Sequence, residues 1–371
     1  MRIQVFKPFE TAEETFQTNK LADIKDGMSF KIKNSFYGVG NFTLVLPASA
    51  PGAETIEEDT WIYAGGQLVF VDDVAEDGGY LTVTGKEIKG LLAHRITLYS
   101  NDNAPAGTQG YDAFQGTTEQ VMKHYVERNV ISSADEDRII PRLILEADHT
   151  EAEYQNEDTY MSRFDNLADL LEIVGKNKEF GWNLVPDLKA GTLTFVVIKG
   201  KDKTAGQSER ERVIFSVNRK NIQSYQRTFG MSSAKNAFYA TKSGVTLEAD
   251  AVTELVVRKG DIPRGVHRRE MQMNVGCDSV DEISKYALKD AENYKPIDSF
   301  TATIANGSED YGKRYLLGDY ATIENKSIVC DTQITGVERF YDGVKETLRL
   351  TFGNEKPKPI KRVKNEIKNK L

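Results

Sequence analysis

Residues 41–85 read NFTLVLPASAPGAETIEEDTWIYAGGQLVFVDDVAEDGGYLTVTG. The stretch holds short runs in which apolar and polar residues alternate, as in half-buried β-strands. We expect strands at Phe42 to Leu46, Asp59 to Tyr63, Gln67 to Val71 and Tyr80 to Thr84. Between them, Gly65-Gly66 and Asp77-Gly78-Gly79 supply the residues that tight hairpin turns require. The stretch therefore predicts a small, self-contained β-hairpin unit.

A second stretch, about 260 residues further along the chain, follows the same plan. Its predicted strands are Phe300 to Ile304, Asp319 to Ile323, Thr332 to Val337 and Glu346 to Phe352. The two stretches close on Gly85 and Gly353, respectively. The likeness is one of pattern and not of identity, so chance alternation of strands is the alternative interpretation. The pattern favours two related small β-barrel domains in one chain, and such a duplication lets n subunits build a ring with 2n similar positions.

Length and composition exclude several classes of protein. A chain of 371 residues with 39% hydrophobic and 9% aromatic residues is typical of a globular protein of several domains, not of a disordered one. The first residues, Met1 to Phe6, enter a strand-like alternation at once, and no apolar run reaches the roughly 18 to 20 residues that span a bilayer. We therefore expect a soluble protein made in the cytoplasm. Cys277 and Cys330 form no CxxC pair and are predicted to be buried thiols.

Changes in the hydrophobic period divide the chain into blocks. We predict a first β-barrel-like domain at 1–98, an inserted α+β domain at 99–212, a second β-barrel-like domain at 213–355 and a basic tail at 356–371. The fold class is thus a multidomain, β-rich α+β protein. In the inserted domain, Thr117 with Gln120 predicts a capped helix, and a second helix begins near Asn166. A further helix near 279–295, with a capping box at Ser279 and Glu282, interrupts the second barrel.

Charge is segregated towards the carboxyl end of the chain. Residues 355–371 carry seven Lys or Arg against two Glu, a net charge of +5, which leaves −13 for the rest of a chain whose total is −8. Apolar residues recur there every three or four positions, so the tail predicts a basic amphipathic helix that needs a partner. We expect it to dock on an acidic surface of a neighbouring subunit or of the next protein; the alternative is a solvated terminus. The predicted partner-binding residues are Lys356, Lys358, Ile360, Lys361, Arg362, Val363, Lys364, Ile367, Lys368 and Leu371.

Motifs for catalysis and cofactor binding are incomplete. Gly38-Val39-Gly40 lacks the third glycine of a dinucleotide loop, and the stretch from Gly79 to Glu87 has the wrong spacing for a phosphate loop. His149 and Glu151 form His-x-Glu without the paired cysteines of a zinc site. The acidic pairs that a glycan hydrolase would need occur only as sequence neighbours: Asp72 with Asp73, Glu76 with Asp77, and Asp135 to Asp137. We therefore predict no catalytic, cofactor or metal site.

Several short motifs, in order along most of the chain, carry a resemblance to a known family. They are Thr84-Gly85 followed by Leu91-Leu92 and Arg95; Arg138 with Pro141; Phe164, Leu167 and Leu171 before Phe180-Gly181-Trp182; Gly200 to Thr204; Phe215-Ser216 with Asn221 and Asn236; and Tyr315 to Asp319. With these motifs the chain resembles the tail-hub or baseplate-hub proteins of tailed bacteriophages and prophages. Many relatives continue into a lytic or fibre-like region where this chain stops at Leu371, which argues against cell-wall degradation by this polypeptide.

The resemblance implies a homotrimer that presents a pseudo-sixfold face to the distal tail or tube protein and a threefold end to the central fibre or spike protein. It also implies a place in the virion tail, assembly in the host cytoplasm, and DNA only as passing cargo. The acidic net charge fits a channel wall that does not hold phosphates. Two other classes stay open: a receptor- or carbohydrate-binding module, in which Tyr111 and Phe114 stack on sugars, and a glycan hydrolase.

Overall fold

Most of the chain alternates between short strands and turns, as the hairpin pattern predicts. The computed structural model describes residues 1–25, 27–99, 110–232, 234–242, 252–256, 264–275, 283–291, 294–305, 310–325 and 328–354. The helices are α1 (Thr118–Val126), α2 (Leu167–Lys178) and α3 (Ile283–Ala291), and a π-helical turn, Glu127–Ile131, follows α1. Short 3-10 helices cover Ala53–Thr55, Ile88–His94, Glu136–Arg138, Ala152–Tyr154 and Gly265–His267.

The strands are β1 (Ile3–Phe6), β2 (Lys20–Ile24), β3 (Ser29–Ser35), β4 (Asn41–Pro47), β5 (Trp61–Ala64), β6 (Gln67–Asp77), β7 (Tyr80–Glu87), β8 (Asp112–Thr117), β9 (Leu143–Leu145), β10 (Glu157–Ser162), β11 (Phe180–Asp187), β12 (Thr192–Lys199), β13 (Ile214–Ser216), β14 (Ile222–Gly230), β15 (Ala237–Lys242), β16 (Val252–Val256), β17 (Glu270–Val275), β18 (Ile297–Ile304), β19 (Tyr320–Asn325), β20 (Ile328–Tyr341) and β21 (Glu346–Asn354). Thirteen of them form one sheet, in the order β14-β18-β21-β20-β3-β4-β7-β6-β5-β1-β2, with β19 beside β20 and β13 beside β19.

The chain divides into two compact units, residues 1–225 with 302–351 and residues 226–301 with 352–371.

The two predicted hairpin stretches have the same strand order. In the first, the strands are arranged β4-β7-β6-β5, and in the second β18-β21-β20-β19. In each, the first strand lies beside the fourth, the fourth beside the third, and the third beside the second. The glycine turns of the first stretch are also as predicted, since Gly65, Gly66, Gly78 and Gly79 all have positive φ, from 57° to 83°. The duplicated plan read from the sequence is therefore present in the topology.

The two stretches are not separate closed barrels, which corrects the predicted fold class. Strand β20 is 14 residues long, and its first part pairs with β19 while its second part, Gly336 to Tyr341, pairs with β3. Strand β3 precedes the first stretch and pairs with β4, the first strand of that stretch. Because β3 links β20 to β4, the backbone hydrogen bonds of the two repeats run on as one sheet. Among the described strand pairs, none closes either stretch into a barrel.

The block between the repeats is α+β, as expected. Helix α1 packs beside the β8–β10 pair, and α2 packs against β11, which pairs antiparallel with β12. Leu167, Leu170, Leu171 and Val174 of α2 are buried in one core with Val121, Met122 and Tyr125 of α1. Asn166 caps α2 through its side chain, which accepts a hydrogen bond from the Asp169 amide at 3.2 Å. The capping residues thus predicted where both helices begin.

We expect Thr117→Ala to lower the free energy of unfolding by about 1 kcal/mol, the usual value of a helix N-cap. The Thr117 side chain accepts from the Gln120 amide at 3.2 Å, and the Gln120 side chain accepts from the Thr117 amide at 3.1 Å, which completes the predicted capping box. Urea unfolding measures the change. Thr117→Ser, which keeps the hydroxyl, is the control, and an equal loss in both variants would contradict a capping role.

The second unit has its own small core. Strands β16, β15 and β17 form a three-stranded sheet, and α3 packs on it through Ile283, Ala287 and Ala291. These residues meet Phe238, Ala240 and Met273 of the sheet. The helix predicted near 279–295 is therefore present from Ile283, whereas its predicted capping box, Ser279 with Glu282, lies outside the described residues.

Cys330 does not fit the sequence prediction of a buried thiol. It is exposed near the start of β20, next to Val329, whose side chain is 71% exposed. This end of β20 pairs with β19, but Val329, Cys330 and Asp331 are all exposed, so both faces of the strand are open to solvent at this point of the described structure. Cys277 lies outside the described residues. None of the helices in the described part of the chain is long and apolar enough to cross a membrane.

Candidate functional site

The Gly38-Val39-Gly40 turn is held by a buried carboxylate instead of presenting amides to a phosphate. Glu87 accepts hydrogen bonds from the Ser35 amide at 3.1 Å and the Gly40 amide at 2.5 Å, and from the Asn34 side chain at 2.9 Å. A Cβ on Gly40 would lie 1.6 Å from the Lys33 carbonyl oxygen, so only glycine fits. An anion-binding role is excluded because a carboxylate already occupies the amides.

Lys89 supplies the opposite charge within the same buried network. Its Nζ lies 4.0 Å from Glu87, donates to the carbonyl oxygens of Ser35 at 2.5 Å and Trp182 at 3.1 Å, and stands 4.9 Å above the Trp182 ring. Complete burial lowers the pKa of Lys89, and the charge of Glu87 opposes that shift. Since Trp182 belongs to β11, this lysine ties the inserted block to the first repeat.

The acidic pairs considered for glycan cleavage have local structural roles. Asp72 pairs with Lys86 of the neighbouring strand at 3.1 Å. Asp135 accepts a hydrogen bond from the Asp137 amide and so caps a 3-10 turn. Glu76 and Asp77 are exposed where the β6–β7 hairpin turns. None of these contacts places two carboxyl groups across a shared cleft, which a hydrolase mechanism requires.

His149, considered with Glu151 for zinc, contacts a different glutamate. Its Nδ1 lies 2.9 Å from Glu119, and together with Glu146 these two residues have ligand atoms close enough to hold a metal ion. The ammonium of Lys123, however, donates to Glu119 at 2.7 Å and to Asp148 at 3.0 Å. This hydrogen bond from Lys123 lowers the pKa of Asp148, while burial raises that of Glu146. Because a lysine already supplies the positive charge, the cluster is a partly buried ion network.

The aromatic residues considered for sugar binding are engaged within the protein. Phe114 is half-buried and stacks on His124 with ring centroids 4.2 Å apart. The guanidinium of Arg163 lies 4.7 Å above the ring of Tyr111, which is also half-buried. His124 in turn lies 2.9 Å from Asp112. A sugar platform at this position would require both rings to give up these contacts.

An open groove of about 780 Å³ lies among the described residues of the first unit. Its apolar lining includes the buried rings of Phe9, Trp61 and Phe70, together with Leu91, Ile140 and Pro141. The rings of Phe9 and Trp61 pack edge to face at 5.0 Å. We call this feature the acidic groove because Glu10, Glu54, Glu57, Glu58 and Asp59 also line it, against Lys7, His94 and Arg95.

The loop that carries the groove's carboxylates is fixed by hydrogen bonds. The Asp59 amide donates to the Val71 carbonyl oxygen at 2.9 Å, and Val71 donates back to Thr60 at 3.0 Å. The buried Thr60 hydroxyl accepts from the Glu57 amide at 3.2 Å. Glu57, Glu58 and Asp59 therefore extend from a rigid loop, and their side chains are exposed. Such a surface is suited to binding a cationic partner.

Sequence reasoning did not single out this groove. The Glu57-Glu58-Asp59 run is visible in the sequence, but Ile140 and Pro141, which line the groove with it, lie some 80 residues later in the chain. The residues that we did predict to bind a partner, Lys356 to Leu371, lie outside the described part of the structure. Their role stays a prediction.

The whole fold is shared with solved phage proteins. The prophage MuSo2 43 kDa tail protein of Shewanella oneidensis is 13% identical, with a TM-score of 0.55, and the match covers 95% of this chain and 98% of that one. A tail protein of Neisseria meningitidis MC58 is 12% identical, with a TM-score of 0.54 and coverage of 95% and 97%. Prophage tail protein gp18 of Listeria monocytogenes EGD-e is 12% identical, with a TM-score of 0.53 and coverage of 100% and 99%. The fold is therefore that of phage and prophage tail proteins.

The chain belongs to the Siphovirus ReqiPepy6 Gp37-like protein family, whose sequence model matches residues 16–276. No curated protein matches the chain significantly. The resemblance to tail and baseplate proteins, predicted from the short motifs, is confirmed, and proteins of this class are components of the virion.

Proposed function

We propose that this protein is a structural tail hub, which joins the sixfold tail tube or distal tail ring to a threefold central fibre or spike as a homotrimer. The observation that carries the proposal is the common strand order of the two repeats, β4-β7-β6-β5 and β18-β21-β20-β19, within one continuous sheet. Three copies of such a chain offer six similar sheet segments, so a threefold assembly can match a sixfold neighbour.

The charge and the local chemistry support a structural role over a catalytic one. Outside residues 355–371 the chain has a net charge of −13, so DNA that passes through a central channel would be repelled and not retained. The acidic pairs are engaged in turns and strand contacts, and the groove's carboxylates stand on an exposed loop. As a tail hub, the protein would have as partners two further copies of the chain, the tube or distal tail protein, and the fibre or spike protein.

Native mass tests the proposal directly. A trimer of 41.6 kDa subunits has a mass of about 125 kDa, and we expect this species in native mass spectrometry of the full chain, alone or with its tube-side neighbour. A chain that stays monomeric with both neighbours present would contradict the hub. Turnover of cell-wall or capsule polymer that is lost in Glu57→Gln or Glu58→Gln would favour a hydrolase instead.

A further inference from the structure

We propose that the acidic groove of one subunit receives the basic carboxyl-terminal segment, residues 356–371, of a neighbouring copy of the chain. This inference deepens the proposed hub and rests on it, because it requires more than one copy in the assembly. It names the acidic surface on which the tail docks and the contact that joins the subunits.

Charge is the first argument. Within the described residues, Glu10 is paired with Lys7 at 2.8 Å, whereas Glu57, Glu58 and Asp59 have no salt bridge. Three adjacent carboxylates on a rigid, exposed loop repel one another, and a cationic partner relieves that repulsion. The segment 355–371 carries seven Lys or Arg and only two Glu, the densest positive charge in an otherwise acidic chain.

Apolar complementarity is the second argument. Ile360, Val363, Ile367 and Leu371 recur at spacings of three and four residues and so form a stripe along one side of a helix. The groove has aromatic and aliphatic side chains for such a stripe, and Leu21, which also lines it, is 46% exposed. A helix of this length is marginal in water by itself and gains its stability from a receiving surface.

The size of the groove fits one side of a helix. A helix that begins at Ile360, after Pro357 and Pro359, has 12 residues, so it is about 18 Å long and about 10 to 12 Å wide, more than a groove of about 780 Å³ can enclose. The apolar stripe would therefore lie against Trp61 and Leu91, while the lysines beside it reach the carboxylates of Glu57 and Glu58. Lysine side chains suit this position because their apolar stems pack and their ammonium groups extend.

Zero-length carbodiimide cross-linking of the full chain tests the contact, because it joins a lysine amine to a carboxylate only where the two touch. The sample is an equal mixture of unlabelled and ¹⁵N-labelled chains. We expect cross-links from Lys358, Lys361 or Lys364 to Glu57 or Glu58, with about half of them joining a labelled to an unlabelled peptide. Because the contact is electrostatic, about 1 M salt, where the Debye length is about 3 Å, should reduce their yield at least tenfold.

Charge reversal provides matched controls. Glu57→Lys with Glu58→Lys should abolish the cross-links, and combining it with Lys361→Glu and Arg362→Glu should restore a contact between the two segments. Glu76→Lys with Asp77→Lys, which reverses two exposed carboxylates at the β6–β7 turn, should leave the yield unchanged. Circular dichroism checks that each variant keeps its fold.

Failure of the docking and failure of the hub give different results. If the chain is a trimer but gives no tail-to-groove cross-links, or gives them only between peptides that carry the same label, the docking proposal is wrong and the hub proposal stands. A monomer under all conditions overturns the hub and the docking together. Mixed-label cross-links that disappear in the reversed variant support the contact.

Discussion

Glu87→Ala should lower the free energy of unfolding by about 3–5 kcal/mol, the usual cost of removing one partner from a buried ion pair. The change leaves Lys89 buried without its nearest carboxylate and removes the acceptor for the amides of Ser35 and Gly40. Each such unsatisfied donor costs about 1–3 kcal/mol, so the loss has more than one source. Urea unfolding followed by tryptophan fluorescence measures it, since Trp61 and Trp182 both lie in the first unit.

Two variants bracket this result. Glu87→Gln keeps an acceptor of the same shape and should lose less than Glu87→Ala. Glu76→Ala removes an exposed carboxylate from β6 and should stay within about 0.5 kcal/mol of the parent chain. A Glu87→Ala loss as small as that of Glu76→Ala would show that the buried network does not hold the turn.

Phe36→Ala is the second large effect, with an expected loss of about 3–5 kcal/mol. Phe36 is 2% exposed and follows β3, where its amide donates to the Thr335 carbonyl oxygen at 3.0 Å. Its ring lies against the backbone of Gly181 in β11 and of Gly318 before β19, since a Cβ on either glycine would come within 2.3 Å of it. One side chain therefore packs the first repeat, the inserted block and the second repeat together.

A double-mutant cycle isolates this contact. Gly181→Ala alone should cost about 1–3 kcal/mol, because its methyl group overlaps the Phe36 ring. In the Phe36→Ala background the same methyl group enters a cavity. The loss of unfolding free energy in the double variant should therefore be well below the sum of the two single losses. Phe340→Ala, at a phenylalanine that is 38% exposed, is the matched control and should cost much less than Phe36→Ala. Strict additivity of Phe36→Ala and Gly181→Ala would contradict the packing.

We expect subunit assembly and folding stability to be separable in this chain. Glu87 and Phe36 are buried within the first unit, whereas Glu57 and Glu58 are exposed on a loop. Substitutions at the first pair should lower stability in every assembly state, while reversal of the second pair should leave stability nearly unchanged and alter subunit contact. Comparing native mass with unfolding midpoints for the two sets separates the roles.

Local sequence pattern determined the elements of this fold. The glycine pairs Gly65-Gly66 and Gly78-Gly79 predicted hairpin turns, and all four glycines have the positive φ that such turns need. The Thr117–Gln120 capping box and the Asn166 cap predicted where helices α1 and α2 begin. These features depend on residues within a few positions of one another, so their physics is readable without a fold. The likeness of the two repeats and the resemblance to phage tail proteins could be recognised for the same reason. The domain boundaries and the role of the carboxyl-terminal segment 356–371 remain predictions.

Tertiary structure alone decided how these elements join. Among the described strand pairs, that of Gly336–Tyr341 with Phe30–Ser35 joins the two repeats into one sheet, and the residues that pair lie some 300 positions apart. In the same way, the acidic groove needs Glu57 and Trp61 to meet Ile140, and the Gly40 turn needs the carboxylate of Glu87. Alternation and spacing specify which face of a strand is apolar, but the partner that covers that face is chosen by packing and hydrogen bonding across the whole chain.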